Sequence, residues 1–283
     1  MKKSQKLVED NKISIFNNIN QQYLILFGLI TIIILFFDFY LTNSNLLIPF
    51  LFTTLVSSIT TSLGISRLKK IKLNQIIREE GPKNHFIKQG TPTMGGIFFI
   101  PVGIIISNIL YFNKDDYKII LTVTFLVVFF MLIGFIDDLI SLKKQFNTGL
   151  TSNQKLVLQL FISLIFIIVC SSNDFIPNTI QIGNRIINVG RLIYPLGIFV
   201  LLAESNSTNL TDGLDGLLSG CSVLIFTGLA ITILIENPSN NQTLAPLCIV
   251  MAGACMGFLF LNKHPAKLFM GDSGSLAIGA TLA

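Results

Sequence analysis

Residues 118–138 read KIILTVTFLVVFFMLIGFIDD, an apolar run closed by two adjacent aspartates. A helix rising 1.5 Å per residue needs about 20 apolar residues to cross a hydrocarbon core of ~30 Å. This run is therefore long enough to span, and it delivers a pair of carboxylates to one end of the span. Comparable runs occupy 23–41, 46–65, 94–112, 155–170, 191–203, 217–235 and 244–261, and a ninth starts at Ser275 and stops at Ala283. Over 283 residues, 51% are hydrophobic and 12% charged, against roughly 25% charged in a soluble domain; mean hydropathy is +0.70. A soluble globular or disordered chain is excluded. The expected fold is an all-α, polytopic transmembrane helix bundle with eight full spans and a truncated ninth. Residues 1–22 read as a cytoplasmic leader and 23–283 as a single transmembrane domain whose C-terminal part is missing. The leader is too long and polar, and the first span too long, for a signal peptide.

Lys and Arg set the orientation. Lys2, Lys3, Lys6 and Lys12 lie in the leader, seven basic residues lie between Arg67 and Lys88, Lys143 and Lys144 follow the fourth span, and Lys263 and Lys267 follow the eighth. The alternate connections hold only Lys114 and Arg185. The leader and the even-to-odd connections are thus cytoplasmic. In the outer connection, 179–188 (TIQIGNRIIN) alternates about Gly183-Asn184, the pattern of a small external β-hairpin. Cys170, Cys221, Cys248 and Cys255 sit in or beside apolar stretches without CxxC spacing, and read as buried hydrophobes rather than disulfides or zinc ligands.

Four polar clusters interrupt the apolar pattern, all in connections assigned to the cytoplasm: 85–96 (HFIKQGTPTMGG), Asp137-Asp138, 206–216 (NSTNLTDGLDG) and 264–275 (HPAKLFMGDSGS). Gathered on one face, they read as one site built from several loops. Paired carboxylates at a helix C-terminus are opposed by the helix dipole and by membrane depth, so a cation or a proton-transfer role is expected to offset them. A solvated helix end is the plainer alternative. Asn206, Asn209, Asp212 and Asp215 recur every three residues, a drift that a regular helix cannot aim at one point. Two amides and two carboxylates suit sugar and base hydrogen bonds or an oxygen-rich cation site, whereas an Asn/Asp/Gly-rich turn explains the composition alone. Asp272 between glycines suits Mg²⁺ beside phosphate-binding backbone N–H groups, or an N-cap. Lys88 is a phosphate clamp or a snorkelling interfacial lysine. Neither a Walker A pattern nor HExxH occurs.

KQGTPTMGG at 88–96, GFIDD at 134–138, NLTDGLDGL at 209–217 and LFMGDSGSLA at 268–277 resemble, in order, the motifs of the phospho-N-acetylmuramoyl-pentapeptide transferase family, within the polyprenyl-phosphate N-acetylhexosamine-1-phosphate transferases. The resemblance implies an enzyme of peptidoglycan synthesis in the bacterial cytoplasmic membrane, with its active site on the cytoplasmic face. UDP-MurNAc-pentapeptide and undecaprenyl phosphate would give lipid I and UMP with Mg²⁺, and a homodimer is a candidate assembly; no nucleic-acid partner is expected. By motif matching, Asp272 is the Mg²⁺ ligand, Asp137 the base for the lipid phosphate, and Asp138 an assistant to metal or substrate. Asn206, Asn209, Asp212 and Asp215 bind the uridine nucleotide, Phe269 stacks on uracil, and Lys88 and Lys155 lie near phosphates. The family's His-rich cytoplasmic motif is absent before Ala283; residues 1–283 are therefore expected to be a fragment without activity.

Two rivals stand beside this reading. A GlcNAc-1-phosphate transferase would share the paired Asp and NxxDGxDG patterns. A secondary transporter would place ionisable groups near mid-span, where only Asp38 is found. The charge alternation predicts that an impermeant thiol reagent, applied to intact cells, labels a cysteine at position 240 but not one at position 212. The reverse pattern would invert the topology and separate the four clusters from the cytoplasm.

Overall fold

In a computed structural model, the protein is described over residues 2–40, 45–71, 90–112, 117–144, 149–183, 185–236 and 244–283, with side chains in the first helix from residue 20 onward. Nine α-helices are found among them: α1 (Lys2–Tyr40), α2 (Leu47–Ile71), α3 (Gly96–Tyr111), α4 (Tyr117–Lys144), α5 (Ser152–Ser172), α6 (Ile193–Thr211), α7 (Leu217–Glu236), α8 (Leu244–Asn262) and α9 (Asp272–Leu282). Between α5 and α6, β1 (Thr179–Ile182) and β2 (Arg185–Asn188) form the expected antiparallel hairpin, in the register Ile182↔Arg185. Gly183 opens its turn at φ +57°, a conformation open to glycine without a Cβ clash.

Six of the eight expected full spans are helices of membrane length and hydropathy: α1 from Asn20, α2, α4, α5, α7 and α8. The other two differ from expectation. α3 is apolar but has 16 residues, because 90–95 is drawn into a loop contact: the Gly95 and Gly96 N–H groups donate to the Phe269 and Met270 carbonyls at 2.9 and 3.0 Å. α6 runs to Thr211 rather than ending at 203. Its polar second half stays helical because its side chains find partners inside the protein: Thr208 Oγ1 donates to the Ser275 carbonyl at 2.9 Å and Asn206 Nδ2 to Gln159 Oε1 at 2.9 Å. Backbone and side-chain polar groups at membrane depth are held only where such partners exist.

Two inner helices organise the bundle. α8 is buried over nearly its whole length and packs against α2, α3 and α7. α9 packs against α4, α6 and α3, and joins Leu126, Phe130 and Ile133 of α4, Ile162 of α5 and Leu201 of α6 in a second apolar cluster through Leu276 and Ala280. Outer faces of α1 and α5, such as Ile32, Phe36, Val157, Phe161 and Ile168, are exposed and apolar, as a lipid-facing wall requires. The four cysteines are free thiols, three of them buried. Asp38, the ionisable residue that a transporter reading would claim, accepts the Leu46 and Leu47 N–H groups, both at 2.8 Å. It thereby caps the start of α2 from the end of α1, a structural employment for a carboxylate.

Close approach of α8 to α2 depends on Gly253 and Gly257, four residues apart on one face. A Cβ at Gly257 would strike the Thr54 carbonyl and lie 2.7 Å from Ser57 Cβ, whereas a Cβ at Gly28 would meet nothing within 4 Å. Gly257→Val is therefore expected to destabilise the detergent-solubilised protein by about 1–3 kcal/mol, the range of overpacked cores, in a thermal unfolding assay. Gly28→Ala should leave the transition unchanged or raise it.

Candidate active site

The paired aspartates do not lie at the end of their helix, contrary to the sequence expectation. α4 continues to Lys144 and places Lys143 and Lys144 in its last turn, so the dipole at its C-terminus faces cations, as it should. Asp137 and Asp138 sit well over a turn earlier. Being adjacent, they point about 100° apart, and each meets a different element.

Asp137 faces the start of α5. Its Oδ1 accepts the Leu150 N–H at 2.9 Å and lies 3.3 Å from Lys155 Nζ. Gly149 lets the chain pass close: a Cβ there would lie 2.5 Å from Asp137 Oδ2. α5 begins with a capping box, in which Thr151 Oγ1 accepts the Gln154 N–H at 3.3 Å and Gln154 Oε1 accepts the Thr151 N–H at 3.0 Å. Two donors at the helix start are so satisfied, and Lys155 is fixed one turn into α5.

Asp138 faces α9. Its two oxygens accept the Asp272 and Ser273 N–H groups, each at 3.1 Å. The N-cap residue of α9, Gly271, has φ +74° and offers no capping side chain, so the cap comes from another helix. Gly134, one turn before Asp138, permits this contact; a Cβ there would overlap the Asp272 carbonyl.

Asp272 is the meeting point. Its Oδ2 accepts a short hydrogen bond from Lys155 Nζ, and its Oδ1 accepts one from Asn209 Nδ2 at 2.8 Å. Asn209 Nδ2 also lies 2.9 Å from Ser275 Oγ. Asp137, Lys155, Asn209 and Asp272, from four helices, thus form one connected polar cluster. The side chains of Lys155, Asp137 and Asp272 are 17%, 13% and 24% exposed, so a ligand can reach the cluster although most of it is enclosed.

The remaining sequence-predicted residues sit around this centre or away from it. Asn206 bonds Gln159 Oε1 and the Leu202 carbonyl rather than Asp272. Asn206 and Asn209 lie in regular helix, while Asp212 and Asp215 lie beyond its end, which resolves the three-residue drift. Asp212, half-buried, is the C-cap residue of α6. Asp215 Oδ2 lies 2.9 Å from His264 Nδ1 and accepts the Ala266 N–H at 3.2 Å, which ties the 212–216 turn to the loop after α8. Phe269, half-buried, is in an extended stretch whose N–H donates to the Pro92 carbonyl at 2.9 Å. Lys88 lies outside the described residues.

Several supporting residues escape sequence reasoning. Asn262 Oδ1 accepts from the Gly216 N–H at 3.1 Å and from Ser219 Oγ at 2.9 Å, while its Nδ2 donates to the Leu268 carbonyl at 3.0 Å. Gln159 and Ser275 are fully buried partners of Asn206 and Asn209. A lone amide inside an apolar run is the available signal for Gln159, whereas Asn262 directly follows the 244–261 run. Lys263 stands 5.9 Å from the centroid of the Tyr23 ring, and burial followed by repulsion from Lys267 holds its ammonium below the usual lysine range.

Among the described residues, no group of three or more His, Cys, Asp or Glu side chains could hold a metal ion. Mg²⁺ is suited, because it commonly takes one or two carboxylates and completes its shell with water and substrate phosphates. The Asp272 carboxylate fits such a partial shell, and the Lys155 ammonium lying between Asp272 and Asp137 marks a position where positive charge is stabilised.

The family model of glycosyl transferase family 4 matches residues 120–283, and signature 1 of phospho-N-acetylmuramoyl-pentapeptide-transferase matches residues 88–100. The phospho-N-acetylmuramoyl-pentapeptide-transferase of Prochlorococcus marinus strain NATL2A is 74% identical over 282 residues, which are 100% of this chain and 76% of that protein. The protein of the same name from Prochlorococcus marinus strain MIT 9301 is 44% identical over 96% of this chain and 74% of its own length. That of Synechococcus sp. strain CC9605 is 45% identical over 87% of this chain and 70% of its own.

Proposed function

The chain belongs to the phospho-N-acetylmuramoyl-pentapeptide transferase family, within glycosyl transferase family 4, and on that premise we propose that it transfers phospho-MurNAc-pentapeptide from UDP-MurNAc-pentapeptide to undecaprenyl phosphate at the cytoplasmic face of the membrane, forming lipid I and UMP. The observation that carries this reading is the convergence of Asp137, Lys155 and Asn209 on Asp272 at the start of α9. Family membership and membrane-length helices support an enzyme of the membrane; the substrates, Mg²⁺ and the membrane face are our proposal.

In the reaction, an oxygen of the lipid phosphate forms a bond to the phosphorus that carries the sugar. The bond from that phosphorus to the bridging oxygen breaks, and the oxygen leaves with UMP. Two anionic phosphate groups must meet, so the site's first task is to neutralise charge. Mg²⁺, when held by Asp272, would supply Lewis-acid stabilisation of the phosphate oxygens. Lys155 draws phosphate oxygens to the same place, and the family resemblance gives Lys88 a phosphate-binding role as well. Asp137, partly open to a ligand at the edge of the cluster, removes a proton from the lipid phosphate. Asn209 holds the Asp272 carboxylate in one orientation through Oδ1. To Asp212 and Asp215, on the turn after α6, and to Phe269, on the stretch before α9, we assign the uridine nucleotide. Asn206 acts from behind, through Gln159 and the α6 backbone. Exposed apolar side chains of α5 next to Lys155, including Leu156 and Leu160, offer a wall for the polyprenyl chain.

The test is transfer of radiolabel from UDP-MurNAc-pentapeptide to undecaprenyl phosphate by the full-length protein with Mg²⁺. We expect labelled lipid product and stoichiometric UMP. Asp272→Asn should lower the rate at least about 100-fold, the scale of losing several kcal/mol of charge stabilisation, with its thermal transition retained. Transfer from UDP-GlcNAc in preference to the muramoyl substrate would assign the chain to the sister reaction instead.

A further inference from the structure

The paired aspartates are alike in sequence and unlike in the structure. Asp137 faces Lys155, which also holds Asp272. Asp138 is aimed at backbone: one oxygen takes the Asp272 N–H and the other the Ser273 N–H, both at 3.1 Å. Asp138 is 9% exposed. α9 has no cap of its own, since Gly271 carries no side chain and stands at φ +74°. A Cβ on Gly271 would lie 2.6 Å from Asp138 Oδ2, and a Cβ on Gly134 would overlap the Asp272 carbonyl. Glycine is thus required on both sides of the carboxylate for it to sit against the start of α9.

From this geometry we infer that Asp138 is a positioning residue: by capping α9 from α4, it fixes the backbone of Asp272 and so sets where the Asp272 carboxylate stands. An N-cap carboxylate satisfies orphan N–H groups and complements the helix dipole. Here the first residue of the capped helix is itself the centre of the cluster, so a cap that elsewhere only stabilises a helix also determines the aim of a ligand. Groups that orient a ligand from behind govern metal affinity about as strongly as 10–100-fold. The chemical consequence is a division of labour between neighbours: Asp137 meets the reacting groups, and Asp138 acts through Asp272.

The inference rests on the assignment of Asp272 to Mg²⁺, and the experiment separates the two. Full-length protein and its variants are titrated with Mn²⁺, followed by electron paramagnetic resonance, and their transfer rates are measured in parallel. Asp138→Ala, which leaves both N–H groups uncapped, should weaken Mn²⁺ binding about 10–100-fold. Asp138→Asn keeps one acceptor oxygen and should fall between Ala and wild type, in binding and in rate alike. Gly134→Ala leaves every functional group in place but crowds the Asp272 backbone, and should weaken Mn²⁺ binding as well; it provides the test if the Asp138 variants do not fold. Equal and complete loss of transfer in Asp138→Asn and Asp138→Ala, with Mn²⁺ binding unchanged, would show that the carboxylate itself reacts and overturn the inference. Wild-type Mn²⁺ affinity in Gly134→Ala would overturn it too. If Asp272→Asn binds Mn²⁺ as wild type does, the metal assignment fails first, and the positioning role of Asp138 falls with it.

Discussion

Two hydrogen bonds from the first N–H groups of α9 to the Asp138 carboxylate join the halves of this site. On one side stands α4, with Asp137 and the loop to Lys155; on the other stands α9, with Asp272 and, through Asn209 and Thr208, the end of α6. If the start of α9 moved by an ångström, Lys155 and Asn209 would no longer meet Asp272 in hydrogen-bonding geometry. Misplacement on that scale can cost about 100-fold in rate. The apolar packing serves the same junction, because Leu276 and Ala280 of α9 lock against α4, α5 and α6 below the polar cluster.

Bilayer physics explains why such junctions are built from carboxylates and small residues. Hydrocarbon offers no partners for helix ends or polar side chains. Asp38 and Asp138 answer this in the same way, each closing the start of a helix from another one. Hydroxyls bond back to their own helix, as Thr54 and Ser222 do, or cross to another, as Ser57 does to the Ala254 carbonyl at 2.6 Å. Glycines at 134, 253 and 257 bring backbones close enough for these contacts. Where four helices bring polar groups to one point, their partners are one another, and on the proposed function a phosphate or a cation exchanges with them.

Much of this arrangement is legible in the sequence. Spans follow from hydropathy over about 20 residues, and the 179–188 hairpin from alternation about Gly-Asn. Motifs single out Asp137, Lys155, Asn209 and Asp272, and the structure brings them together. What escapes has a common physical origin. Sequence spacing gives the angle between neighbours but not what each one faces, so Asp137 and Asp138 cannot be told apart by it. Hydropathy ends the fourth span at the aspartates because it treats a carboxylate as solvated; a carboxylate that accepts backbone N–H groups from α9 is not. Hydropathy cuts α6 short at 203 because Glu204, Asn206 and Asn209 lower it, while the partners of the two asparagines lie 47 to 66 residues away in sequence. Asn262 and Gln159 are ordinary in type, and only tertiary contact gives them a task.

The central claim is that Lys155 and Asp272, from different helices, act as parts of one unit rather than as separate aids to binding. A double-mutant cycle in the transfer reaction tests it most directly, using Lys155→Met, Asp272→Asn and the combined variant of the full-length protein. Residues that work as a unit lose their joint contribution once, so the account predicts that the double variant is no slower than the slower single variant. Losses that multiply across the two substitutions would show that the groups act independently, and would contradict it.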